Sequence, residues 1–347
     1  MEKNVLKELN RQVAAYCDAN RITGMLRVTQ KDHILFQWNF GYADWENRVP
    51  FAENSMFTLY SMSKPFCAMG LLKLKDMRLV ALDAHPGHYV PEAADFDPGV
   101  TVRQLLMHTS GIPDFEQTEN FRQKYAPGCT CKTREHLKLL SKYPSFFPPG
   151  TGGMYANVNY VLAALIIENV TSLPYEEYMR REVFEPLGMR HTLVDKKGLY
   201  IPSRVKGYAL VNGRVTEVEK SLSWMFGAGD LVATVEDVYS LNRAVKHRLL
   251  LTPETWDEAL IPSPLTQKAM AGCTVSLWHG KYRITHNGGH TGFRTLHIHL
   301  PQEDFDIIFL SNCGYGNARN DIAEMVHGAF FGGDRTAEHM EMDTGYI

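Results

Sequence analysis

No apolar run in this sequence is long enough to cross a bilayer. Nor does the start resemble a signal peptide: Met1 to Val13 mixes charges of both signs with apolar residues at helical spacing. The expected compartment is therefore the cytoplasm, with no membrane partner. Neither sign of charge dominates, since 36 Lys and Arg stand against 39 Asp and Glu, and the formal net charge is −3. That balance gives no broad cationic field of the kind that holds nucleic acid. Cysteine is sparse: of the six, Cys17, Cys67, Cys273 and Cys313 are scattered and only Cys129 and Cys131 are close-set. Without further Cys or His at zinc-site spacing, all are expected to be free thiols in a reducing compartment. There is no internal repeat and no low-complexity segment. What is present is an ordinary globular composition, 347 residues and 44% hydrophobic, enough for a large core and about two domains.

Sheet signals lie at the two ends of the chain. Met25 to Thr29 and Ile34 to Phe40 flank the polar turn Gln30-Lys31-Asp32-His33, while Thr295 to Leu300 and Phe305 to Leu310 flank Pro301-Gln302-Glu303-Asp304. Both pairs read as hairpins, hence an antiparallel sheet. Between them the periodicity is helical: Phe66 to Leu79, Val102 to His108, Arg134 to Tyr143, Tyr160 to Val170, Tyr175 to Val183 and Val235 to Val245. The expected organisation is an α/β fold of α+β type. Residues 1–75 and 225–334 would form a discontinuous sheet domain, 76–224 an inserted helical domain, and 335–347 a polar surface tail.

Ser61-Met62-Ser63-Lys64 stands directly before an apolar helical run. A serine hydroxyl is a poor nucleophile until a neighbouring base takes its proton. Residues three apart share a helix face, so this spacing brings the Lys64 amine to Ser61. Pro65 falls in the opening turn, where a proline is tolerated, and Ser61 would lie at the positive end of the helix dipole. The same spacing recurs at Ser203-Arg204-Val205-Lys206, so the quartet alone does not decide. Order separates the two, because only Ser61 is followed by Tyr155-Ala156-Asn157 at a helix entrance and then by His286-Asn287-Gly288 after a strand-like stretch. His297 and His299 share one strand face but lack a third metal ligand, and are expected to be exposed or core-edge histidines rather than a metal site.

In that order, Ser-x-x-Lys, Tyr-x-Asn and His-x-Gly make the chain resemble the serine β-lactamase and penicillin-binding protein superfamily. The resembling branch holds class C β-lactamases, DD-peptidases, D-aminopeptidases and esterases. Val102 to Pro113, Phe147 to Gly150, Glu185 to Met189 and Gly227 to Leu231 are similar to further segments of that family. The resemblance implies a β-lactamase-like fold, no metal or cofactor, and a serine hydrolase acting through an acyl-enzyme. Ser61 would be the nucleophile, and Lys64 and Tyr155 its proton partners. Asn157, His286, Asn287, Gly288 and Gly289 would bind substrate, with the backbone N–H groups of Ser61 and Gly289 as oxyanion hole. Many relatives carry Lys-Thr-Gly where this chain has His286-Asn287-Gly288, which weakens the case for a β-lactam carboxylate as ligand. Arg294 could supply a replacement cation, and Trp224 could contact substrate. The implied substrate is a small molecule or short peptide, cleaved by a D-amino-acid peptidase or amidase or by a small-ester hydrolase. A true β-lactamase and a penicillin-recognising binding protein without turnover are the rivals, and no oligomeric state is implied.

Overall fold

The computed structural model describes residues 2–118, 133–196, 198–218 and 225–332. Trp224, Cys129, Cys131 and the segment 335–347 lie outside the described residues. Six strands build the main sheet: Gly24–Gln30 (β1), His33–Phe40 (β2), Thr274–Trp278 (β3), Lys281–His290 (β4), Phe293–Leu300 (β5) and Phe305–Ser311 (β6). Their order is β3-β4-β5-β6-β1-β2, antiparallel throughout. The join between the two ends of the chain is the β1/β6 ladder, from Gly24 opposite Ser311 to Gln30 opposite Phe305. Both predicted hairpins are present.

Alternation along these strands feeds two cores. On one face Leu26, Val28, Ile307 and Phe309 pack under the first and last helices, Glu2–Asn20 (α1) and Ala318–Phe331 (α5). On the other face Met25, Ile308 and Leu310 join the larger core, which contains the helices Lys64–Asp76 (α2), Asn157–Thr171 (α3) and Val235–Lys246 (α4). The central pair is buried nearly all round: every residue from Met62 to Leu72 and from Ala156 to Ile167 is buried. A helix without a polar face can only be an interior helix, and α2 and α3 pack directly on each other. Gly70 allows the helix Tyr175–Met179 to pack closely on α2, since a Cβ would lie 2.8 Å from Met179 Sδ. Thr101 and Gln104 form a reciprocal capping box at the start of Val102–Leu106, which fixes the short helix leading to His108.

Candidate functional site

The chain enters α2 through a single 3-10 turn, Tyr60–Ser63. Between Ser55 and Leu72 every residue is buried except Ser61, so this serine is the one point in that stretch that reaches solvent. Tyr60, fully buried, takes a left-handed backbone with φ +48°, a conformation costly for a residue with a side chain. It is held there by its phenol, which donates to the Thr291 carbonyl at 2.7 Å, and by packing against Phe293. The bend aims Ser61 outward.

Lys64 is completely buried, and its amine donates to Ser61 Oγ at 3.1 Å, Asn157 Oδ1 at 2.8 Å and the Ala228 carbonyl at 2.8 Å. The decoy quartet is built differently. Ser203 accepts from Asn54, and the Lys206 amine goes to Asp44, Glu46 and Glu217 at 3.1, 3.8 and 2.9 Å. Three carboxylates, not a serine, surround that lysine.

Tyr155 and Asn157 stand at the mouth of α3, as the sequence predicts, and Asn157 is its first residue. Both depend on the segment after Val102–Leu106. The Asp114 carboxylate accepts the N–H groups of Asn157 and Val158 at 2.6 and 3.0 Å, satisfying donors that a helix start leaves open. His108, at φ +57°, stacks on the Tyr155 ring with centroids 4.4 Å apart. Its Nδ1 accepts from the Ala156 N–H at 3.2 Å, which requires a neutral ring. Burial, followed by the charges of Lys64 and Lys268, pushes this imidazole well below its usual range, in agreement with that bond.

His286 lies inside β4, opposite His297 in β5. β3 pairs with β4 only as far as Thr274 opposite Thr285, and the following residues of β4 run beside the Tyr60–Ser63 turn. Gly288 makes this approach feasible: a Cβ there would stand 1.9 Å from the Leu59 carbonyl oxygen. His286 is buried and its Nδ1–H donates to the Asn287 carbonyl at 2.6 Å, leaving Nε2 unprotonated in the neutral ring. Burial, then the positive charges of Lys268 and Lys64, keep it well below the ordinary histidine range. Asn287 and Gly289 alternate onto the opposite strand face from His286 and Gly288.

Arg294 shares that opposite face, facing Gly289, and its guanidinium turns back onto the His290 and Phe293 carbonyls at 2.8 and 2.9 Å. A second cation beside Tyr155, Lys268, is one that sequence reasoning missed. Lys268 Nζ lies 5.6 Å from the Tyr155 ring centroid, and Lys64 Nζ lies 4.7 Å from it. Lys268 donates to Thr274 Oγ1 at 2.8 Å. Its loop is clamped on the mouth of α2, where Gly272 packs so closely that a Cβ would be 2.9 Å from the Lys64 carbonyl. No motif surrounds Lys268, so only the folded chain brings it in. His297 and His299, expected at exposed or core-edge positions, are buried instead, bonded to Asn242 at 2.9 Å and Asp306 at 2.7 Å. The reason is that their strand face is covered by α4. Among the described residues no cluster of three His, Cys, Asp or Glu could hold a metal ion, and no helix is long and apolar enough to cross a membrane.

A sheet closed by both chain ends, a buried helical layer over one face, and a part-exposed serine at the entrance to the buried helix make this a protein of the β-lactamase fold. The chain belongs to the Beta-lactamase family, whose profile matches residues 9–329. Members of this family are serine hydrolases. The chain is 27% identical to penicillin-binding protein 4* of Bacillus subtilis (strain 168) over 339 residues, covering 90% of this chain and 73% of that one. It is 24% identical to a D-aminopeptidase of Gluconobacter oxydans (strain 621H), over 83% of this chain and 55% of the other. The solved D-amino acid amidase of Ochrobactrum anthropi SV3 superposes with a TM-score of 0.79 at 24% identity, covering 94% of this chain and 98% of that one, and shares its fold.

Proposed function

We propose that this chain is a serine hydrolase that cleaves an amide or ester through an acyl-enzyme, with a D-amino-acid peptide, a D-aminoacyl amide or a small ester as substrate. The observation that carries the reading is the buried Lys64 amine on Ser61 Oγ at 3.1 Å, fixed from behind by Asn157 and Ala228. Ser61 Oγ attacks the carbonyl carbon, and its proton passes to the Lys64 and Tyr155 pair. The oxyanion is met by the backbone N–H groups of Ser61 and Gly289. The pair returns the proton to the leaving amine or alcohol as its bond to the carbonyl breaks. Water then attacks the acyl-Ser61 ester by the same route in reverse and frees the acid. Asn157 orients Lys64 and the substrate amide, and His286 lines the cleft as a neutral group.

The D-aminopeptidase and D-amino acid amidase among its relatives support an amide as one substrate, and a neutral His286 where a β-lactamase-type third motif would carry a cation speaks against a β-lactam carboxylate. Two variants test the site. Ser61→Ala is expected to abolish both labelling by a fluorophosphonate and all turnover, whereas Ser203→Ala stays near wild type. The reverse result removes the assignment. A screen of D- and L-aminoacyl amides, p-nitrophenyl esters and nitrocefin then ranks substrates, and nitrocefin turnover above every amide and ester would favour a β-lactamase instead. Burst labelling with no steady state on any of them would favour a non-turnover binding protein.

A further inference from the structure

The third acceptor of the Lys64 amine is a backbone carbonyl, and what holds it is a buried acid. Ala228 lies in the tight turn Met225 to Asp230, where the Ala228 and Gly229 N–H groups both donate to the Met225 carbonyl at 2.8 Å. Gly227, at φ +70°, has no room for a side chain: a Cβ would stand 2.5 Å from Ala164 Cβ. Across the turn the Gly227 N–H donates to Asp230 Oδ2 at 2.9 Å. The Asp230 carbonyl accepts from the Asp195 N–H at 2.7 Å, tying the turn to the neighbouring strand. The other carboxyl oxygen, Oδ1, is buried and has no hydrogen-bond partner among the described residues. A buried carboxyl left half-bonded costs stability and calls for a reason to be there.

We propose that Asp230 is a positioning residue for Lys64: its carboxyl fixes the turn that presents the Ala228 carbonyl, and its charge biases whether the amine keeps its proton. The inference rests on the reading of Ser61 and Lys64 as nucleophile and base. The titratable groups acting on Asp230 come from each element around it. They are Lys64 and Cys67 of α2, Tyr175 of the helix Tyr175–Met179, and Asp195, itself paired with Arg204 at 2.5 Å. Burial raises the Asp230 carboxyl to about 7, against the pull of the Gly227 N–H and of its own backbone N–H, so its charge changes near neutrality. An ionised Asp230 holds the proton on Lys64; a neutral one lets it go at lower pH.

The test is the rate of Ser61 labelling by a fluorophosphonate against pH, which needs no knowledge of the substrate. Asp230→Ala should slow labelling at least tenfold across the range, because the Ala228 carbonyl is no longer held. Asp230→Asn, whose amide oxygen still accepts from Gly227, should rescue most of that rate and raise labelling over wild type only above about pH 7, where Asp230 would be charged. Asp230→Ala labelling at the wild-type rate, or an Asp230→Asn profile superimposing on wild type, overturns the proposal. If Asp230→Ala does not fold, the Asp230→Asn profile decides alone. Equal labelling of wild type and Ser61→Ala would instead overturn the reading of Ser61, and this inference with it.

Discussion

Two ammonium groups flank one phenol in this cleft, and they do different work. Lys64 is engaged by three oxygens and points at Ser61, whereas Lys268 approaches the Tyr155 ring from the loop ahead of β3. In the proposed mechanism Tyr155 shares the Ser61 proton with Lys64, and a nearby cation would steady the negative charge that develops there. With His108 and His286 both held neutral, Lys268 is, among the described residues, the second positive charge acting on both rings after Lys64 is counted. Lys268→Met, which keeps the stem and removes the charge, should lower the acylation rate about tenfold, on the scale of one charge interaction of ~1.4 kcal/mol. The same variant should raise the pH at which His286 takes up a proton, since Lys268 is the first charge opposing it after burial itself. Stopped-flow acylation and the ring-proton NMR titration of His286 read the two effects. An unchanged rate would leave Lys268 a loop-fixing residue bonded to Thr274.

At the scale of the element, the mouth of α3 is the hinge of the whole arrangement. Asp114 caps it and receives the N–H of Asn157, the residue whose side chain holds Lys64. Asp114→Ala should destabilise the fold by about 1–2 kcal/mol, the usual cost of losing an N-cap. It should also slow Ser61 labelling more than loss of stability explains, because Asn157 loses its anchor. Urea titration gives the first number and labelling of the folded fraction the second; a stability loss with wild-type labelling would reduce Asp114 to a cap. Asp114 was not legible as a cap from sequence, since it lies 43 residues from the helix it caps. By contrast, both terminal hairpins and the helices at Phe66, Tyr160 and Val235 were legible, because period and turn chemistry are local. Ser61, Lys64, Tyr155, Asn157 and His286 could be picked out because each sits in a short ordered motif. Lys268 and Asp230 could not, since nothing in their immediate neighbours marks them and only tertiary contact gives them a role. The depth of His297 and His299 was missed for a similar reason: alternation placed them on one face, but not under α4.

For the molecule as a whole, placing neutral histidines in the core makes stability depend on acid. His108, His286 and His297 are buried, and burial lowers all three, His297 to about 3. Unfolded, each would bind a proton near pH 6.5. Below that point the unfolded chain carries more protons than the folded one, so stability falls as pH drops from 6.5 toward the folded values. Asp230 and Glu116 run the other way, because burial raises both to about 7 and the folded state takes up their protons first. Their contribution is present below the unfolded carboxylate range and is lost as pH rises toward 7. Since the two sets overlap between pH 4 and 6.5, the wild-type slope alone cannot assign it, and a single substitution must. His297 bonds to Asn242 on α4 and stands opposite His286, so Ser61 labelling of the variant is measured beside its stability to separate the two effects. Replacing it, His297→Gln, removes one titrating group, and the dependence of unfolding free energy on pH below 6 should flatten by about 1.4 kcal/mol per pH unit. Urea unfolding at pH 7, 6, 5 and 4.5 measures both slopes. Parallel slopes would mean that His297 is charged in the folded protein, and that the layer between β5 and α4 admits solvent.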